Sequence, residues 1–300
     1  MAEIVTERET VTPVRTGVMD WWPVDRLILG YFAAATAAEA AWWNRIPGAG
    51  WLILAHVLAV AGLWLAVRYP DSRTSVAFRH WYPLPYVAAC YKEMAILIPA
   101  IRSSSADEVV AKLDLALWGV HPTVWLERFR SPLTAEMLQI IYAGFLPAVL
   151  LTAYVLWRRR RLADFRFYAF LIAIGFLASY AGYLLVPVRG PRFLLASLQS
   201  YPLEGLWLFD FLRSGLDQLE SAHYDCFPSG HTELTLLAAL GSGVVSRKLS
   251  IGMLVYAAGV MTATVYLRYH YTVDVFAGAL LAALLWLTAP ALYRWLGGKV

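Results

Sequence analysis

Three stretches of the chain carry residue types that could do chemistry together. In "YLRYHYTVDVFAG" (266–278), His270 and Asp274 lie four apart, which on a helix makes them neighbours on one face. A carboxylate against one imidazole nitrogen fixes the tautomer and leaves the other nitrogen free as nucleophile or base. In "CFPSGHT" (226–232), Pro228 interrupts the preceding chain and Ser229 and Gly230 open a helix. Free N–H groups and a hydroxyl at such a start suit an anion, and His231 would reach the same place to protonate a leaving oxygen. In "YLLVPVRGPRF" (183–193), Arg189 and Arg192 flank Gly190-Pro191, and Arg268 lies two residues before His270. Guanidinium forks match phosphate oxygens. Taken singly, each stretch has a plainer reading: an ion pair capping a span, a serine N-cap, arginines snorkelling to an interface. Taken together they supply what metal-free phosphoryl transfer through a phosphohistidine needs. Spacing for a metal is absent among these residues, and no cofactor is expected.

The elements that must position these groups are membrane helices. Hydrophobic residues make up 60% of the 300 and charged residues 15%, against about 45–50% and about 25% in soluble domains. Apolar runs predict spans at 24–43, 51–67, 83–101, 133–157, 165–187, 231–246, 251–269 and 271–292. The third holds Lys92 and Glu93 and could instead be re-entrant or interfacial. Glu39 in the first has no evident purpose. The expectation is an all-α polytopic bundle of about six to eight spans. It divides into a cytoplasmic tail (1–23), N-terminal membrane segments with an outer interfacial loop (24–132), and a catalytic core (133–300). The connections 102–132 and 188–230, rich in aromatic residues, are expected against the membrane surface.

Fifteen of the 25 lysines and arginines, including the run at 158–161, fall on one side of this arrangement. That side is read as cytoplasmic, which puts all three chemical stretches at the opposite interface. The net charge of +4 implies no nucleic-acid partner. The two cysteines, Cys90 and Cys226, suggest no disulfide framework.

"PSGH" (228–231) and "HYTVD" (270–274) resemble the second and third motifs of the type-2 phosphatidic acid phosphatase superfamily. "GYLLVPVRGPR" and "HYTVDV" are more similar to its inositol phosphorylceramide synthase branch, and "HYTVDV" also resembles sphingomyelin synthases. The resemblance is specific over about 182–278; "WYPLPYVAACYKE" (81–93) and "GVHP" (119–122) extend it loosely upstream. It implies a core of the vanadium-haloperoxidase-like type. It also implies His270 as nucleophile oriented by Asp274, His231 as general acid and then base, and Ser229, Gly230 and the arginines as phosphate ligands. Two positions depart from the pattern. Where the family has a Lys seven residues before its first-motif Arg, this chain has Gly182. Where it has an Arg six before the third-motif His, this chain has Thr264. Arg192 and Arg268 are the candidates to replace them.

The expected function is a metal-independent phosphatase of the cell membrane. It would act on a lipid phosphate or phosphodiester drawn from the bilayer, with its site on the non-cytoplasmic side. One alternative is a phosphotransferase delivering the phosphoryl headgroup to a lipid or polyol hydroxyl, with an acceptor pocket near His223, Tyr224, Asp225 and Glu233. A second is a non-catalytic transporter or scramblase, for which Lys92 and Glu93 are the sequence support.

Overall fold

The structure, a computed structural model, describes residues 20–69, 73–219 and 223–299; most of the expected tail, residues 1–19, lies outside them. The chain folds as α1 (Pro23–Ala41), α2 (Ala49–Arg68), α3 (Arg73–Trp81), α4 (Pro83–Ile101), α5 (Asp107–Trp118), α6 (Pro122–Trp125), α7 (Pro132–Ala143), α8 (Phe145–Arg158), α9 (Leu162–Leu185), α10 (Pro191–Leu194), α11 (Phe209–Leu219), α12 (Gly230–Gly241), α13 (Arg247–Tyr266) and α14 (Thr272–Trp295). No strand occurs among the described residues; Val188 and Asp225 form an isolated parallel bridge. Proline opens α4, α6, α7 and α10, where its missing N–H has no intrahelical acceptor to lose. Ser131, Ser229 and Ser246 cap α7, α12 and α13 by accepting the N–H three residues on.

Among the described residues, five helices are long and apolar enough to cross a membrane: α2, α4, α9, α13 and α14. The expected third span is therefore a continuous helix. The expected span at 133–157 is instead two helices, α7 and α8, meeting at 42° at Gly144, and makes a sixth crossing if the pair is counted as one. α1 has 19 residues but carries Asp25, Arg26 and Glu39. The expected span at 231–246 is shorter than predicted. α12 has 12 residues and gives way to a 3₁₀ turn at Ser242–Val244. At 1.5 Å per residue it covers about 18 Å, short of the roughly 30 Å of a bilayer core.

α12 is nevertheless the centre of the bundle. It packs against α8, α9, α13 and α14, with most of its residues buried on every face. That is why a chain rich in Ala, Leu and Gly can fill it without an amphipathic pattern. The basic ends of the other helices gather at one end of the bundle. There Arg26 donates to the Leu296 carbonyl, Arg161 to that of Val244, and Arg79 to that of Asp20. α9 and α14, each 24 residues long, run between this end and the loops that carry the three chemical stretches.

Candidate active site

α13 delivers His270 through its C-terminus. Tyr269 N–H bonds the Thr264 carbonyl at 2.9 Å and Arg268 N–H bonds that of Val265 at 3.1 Å, the paired closure of a Schellman motif. The left-handed residue of such a motif is usually glycine; here it is Arg268, at φ 67°. Its guanidinium is held by Glu127 (2.8 Å), Gln199 (3.0 Å) and the Tyr201 carbonyl (3.0 Å), which stabilise the strained backbone from outside. His270 N–H also returns to the Thr264 carbonyl, at 3.0 Å. Arg268 is thus turned toward the loops, where three acceptors take three of its five N–H donors.

His270 precedes α14 rather than sitting on it, so the pairing with Asp274 differs from the predicted one. The nearest approach of Nδ1 to Asp274 Oδ2 is 3.5 Å, too long for a hydrogen bond. Nδ1 donates instead to the backbone carbonyl of Cys226, at 2.9 Å. This fixes the proton on Nδ1 and leaves the Nε2 lone pair free. Asp274 Oδ2 accepts the Tyr271 N–H at 2.8 Å and the Cys226 thiol at 2.9 Å. The sulfur lies beside both, 3.3 Å from Nδ1. Burial, followed by the charge of Asp274, pushes the Cys226 thiol well above its ordinary range, in keeping with its role as a donor.

His231 occupies the second position of α12. Its ring stacks on Tyr142 (4.4 Å, 26°) and meets Phe145 at 4.6 Å. These two aromatics lie on either side of the Gly144 bend, so breaking the span is what lets both reach the histidine. The His231 and His270 rings approach edge-on at 5.8 Å between centroids, although 39 residues separate them. Ser229 is fully buried: its hydroxyl accepts from Thr232 N and Oγ1, and its N–H donates to the Asp274 carbonyl at 3.0 Å. The unbonded first-turn N–H groups at Gly230 and His231 remain for an anion.

The cations surround Tyr269, which stacks on Tyr142 at 4.3 Å. Arg192 lies over its ring at 5.2 Å and also pairs with Asp217 at 2.6 Å; Arg213, from α11, lies at 5.7 Å. Arg189 is exposed at the lip, over Phe193. Arg213 is absent from the motif reading, yet its Nη1 is buried without a hydrogen-bond partner. Gly182, at the departure from the family pattern, has no space for a side chain: a Cβ there would fall 2.2 Å from Pro228 Cδ.

Three acids that the sequence reading passed over organise this rim. Asp107 accepts the N–H groups of Arg189 and Gly190, both at 2.8 Å. Asp114 caps α14, accepting from Thr272 N (3.1 Å), Thr272 Oγ1 (2.5 Å) and Val273 N (2.9 Å). Glu136 takes the N–H groups of Leu206, Trp207, Leu208 and Phe209 and so folds the start of α11. Asp107 and Asp114 are seven apart in "DEVVAKLDLALW" and therefore on one helix face, a pattern that could have flagged them. At the expected acceptor pocket, Asp225 is hydrogen-bonded by Tyr91 at 2.6 Å, and His223 is exposed. Glu233 instead points into the bundle, where Ser179 bonds it. Burial raises Asp225 above the usual carboxylate range; the Tyr91 hydroxyl, then His270 and Arg192, oppose this.

Cys226, His270 and Asp274 place one sulfur, one nitrogen and one oxygen within 4.8 Å of one another, donor types a metal could use. Here the thiol proton already goes to Asp274 and the Nδ1 proton to a carbonyl, so the trio works as a hydrogen-bonded support.

Among curated proteins, a PA-phosphatase related-family protein of Dictyostelium discoideum is 32% identical over 94 residues, covering 30% of this chain. The match spans 17% of that relative's own length. No solved structure matches. The sequence profile of the PAP2 superfamily matches residues 109–288, which includes Asp114, both histidines and all of α7 to α13. With a histidine pair meeting at the mouth of an α-helical membrane bundle, and with that profile covering most of its length, this chain belongs to the PAP2 superfamily.

Proposed function

We propose that the protein is a membrane lipid phosphatase that cleaves a lipid phosphate or phosphodiester through a phosphohistidine, with no metal in the reaction. The observation that carries this reading is the pair of imidazoles 5.8 Å apart, one of them held with Nδ1 protonated by the Cys226 carbonyl. The Nε2 lone pair of His270 attacks phosphorus, and the bond from phosphorus to the leaving oxygen breaks. Protonated His231 gives that oxygen its proton. Neutral His231 then takes a proton from water, the water oxygen attacks phosphorus, and the N–P bond breaks, returning His270. Arg192, Arg189 and the first-turn N–H groups of α12 would hold the equatorial oxygens. Positioning and fixed dipoles supply most of the rate in such transfers.

A lipid substrate fits the surroundings. Trp207, Phe211 and Leu219 are 83%, 74% and 64% exposed around α11, an apolar surface suited to the membrane interface beside the site. The site lies at the end of the bundle away from the gathered basic residues. The positive-inside tendency therefore favours a non-cytoplasmic orientation, and we place the protein in the cell membrane.

A second reading has an alcohol in place of water. It is favoured by Gly182, where Pro228 closes the space that the missing lysine would occupy. Purified protein incubated with labelled phospholipids, with and without inositol or diacylglycerol, separates the two. Release of phosphate or of diacylglycerol alone supports the hydrolase, and a new lipid phosphodiester supports the transferase. Vanadate is expected to inhibit either reaction by occupying the phosphate cradle; indifference to it removes the phosphohistidine scheme.

A further inference from the structure

A second cluster of titratable side chains lies outside the histidine site, between the first helices of the bundle. Glu39 of α1, His56 of α2 and Glu93 of α4 are 0%, 7% and 5% exposed. His56 Nδ1 is 3.5 Å from Glu39 Oε2, and Nε2 is 3.4 Å from Glu93 Oε2. Three ligand atoms, one from each residue, fall within 4.8 Å of one another. Both carboxylate oxygens of Glu39, and Oε1 of Glu93, are buried with no hydrogen-bond partner. Buried polar atoms in folded proteins are nearly always paired, so three unpaired oxygens around one imidazole call for a positively charged guest.

The chemistry of the donors selects the guest. A proton shared by the two carboxylates would serve two of the oxygens and leave the rest unpaired. A divalent ion engages all three side chains and neutralises both carboxylates in a low-dielectric setting. One imidazole with two carboxylates suits zinc and its first-row neighbours, and is poor for calcium or magnesium, which take oxygen alone. The donors are also held from behind, as metal ligands usually are. Tyr31 donates to Glu93 Oε2 at 2.8 Å, and Thr36 Oγ1 lies 2.9 Å from His56 Nδ1. With Nδ1 donating to Thr36, Nε2 presents its lone pair toward Glu93. Phe32 lies against the imidazole at 4.6 Å and closes the apolar side.

We propose that Glu39, His56 and Glu93 form a buried site for one divalent transition-metal ion of the zinc type, which ties α1, α2 and α4 together. The ion is structural and lies outside the reaction path at His231 and His270.

The test uses the full chain in detergent, stripped with a chelator and dialysed against Zn²⁺, with metal measured by mass spectrometry. Wild-type protein is expected to retain one equivalent, to show Co²⁺ ligand-field bands on substitution, and to melt at higher temperature with Zn²⁺ than without. Glu39→Gln and His56→Gln are expected to bind Zn²⁺ about 100-fold more weakly or worse, and to lose the melting shift. Asp274→Asn, which alters the other cluster of metal-ligand types, should keep the ion. Wild-type protein that takes up no Zn²⁺, or an ion lost with Asp274→Asn and kept with Glu39→Gln, overturns the proposal. If either variant fails to fold, uptake and the melting shift of the wild type still decide it.

Discussion

The two buried clusters differ in what their polar atoms have left to do. At the rim, His270 Nδ1, the Cys226 thiol, Asp274 Oδ2 and the Ser229 hydroxyl each have a partner inside the protein. Their satisfaction holds the geometry and leaves the Nε2 lone pair for an incoming group, with Asp274 Oδ1 the one oxygen of that carboxylate without a partner. Between α1, α2 and α4 the balance is reversed: three carboxylate oxygens have no partner. A third group, Asp25, is held by Arg79 at 2.9 Å, Tyr82 at 2.5 Å and the Trp22 N–H at 2.8 Å, and both of its oxygens are occupied. Burial of charge is thus common to all three, and the count of unused lone pairs separates a scaffold, a reaction centre and a binding site.

The largest effect tests the first half of that contrast. His270→Ala is expected to lower turnover by about 10⁴-fold or more while the protein still inserts, because the nucleophile is gone. Glu39→Gln should leave turnover at the wild-type level below its melting temperature. Equal losses in the two variants would break the separation between the clusters. Asp274→Asn comes next. Were this carboxylate the direct partner of Nδ1, its loss would cost about 10⁴-fold, as in a serine-protease triad. Since the Cys226 carbonyl sets the tautomer, a loss of about 10–100-fold in kcat is expected, and a triad-sized loss would restore the direct pairing.

The rim arginines sharpen the comparison further. Arg213, with a buried unpaired Nη1 above Tyr269, is expected to act on substrate: Arg213→Ala should raise KM or lower kcat/KM by about 10-fold or more, with little change in melting temperature. Arg268, paired with Glu127 where the two side chains are 6% and 10% exposed, is expected to do the converse. Arg268→Ala should destabilise the fold by about 3 kcal/mol, seen as a lower melting temperature, with KM preserved in the folded fraction. A KM effect at position 268 larger than at 213 would reverse the assignment.

Much of this was legible in the sequence, for physical reasons that also mark its limits. Short motifs reported the histidines and Asp274 because each sits at a helix boundary with its own local signature. Apolar runs reported the helices, since membrane-facing residues must be apolar whatever they touch. The same runs hid the Gly144 bend and the early stop of α12, because a buried short helix and a spanning one have the same composition. Arg268 read as a phosphate ligand because its charge and proximity to His270 were visible, while its left-handed backbone and its loop acceptors were not. Glu39 and Glu93 looked like stray charges because His56, the residue between them, arrives from a different helix.

The smallest effect concerns the sulfur at the rim. Cys226 contributes to His270 in two ways: through its carbonyl, which any residue supplies, and through its thiol, which donates to Asp274 at 2.9 Å. Cys226→Ala keeps the first and removes the second, leaving Asp274 Oδ2 with the Tyr271 N–H. One weak donor to a buried carboxylate is worth about 1 kcal/mol, so turnover should fall about 5-fold. Cys226→Ser keeps a donor of nearly the same reach and should stay within about 2-fold of wild type. A drop with serine as deep as that for His270→Ala would mean that the sulfur itself takes part in the reaction. The rim trio would then resemble the N-terminal cluster, a set of donors awaiting a guest, and the distinction drawn from their unused lone pairs would fail where the chemistry occurs.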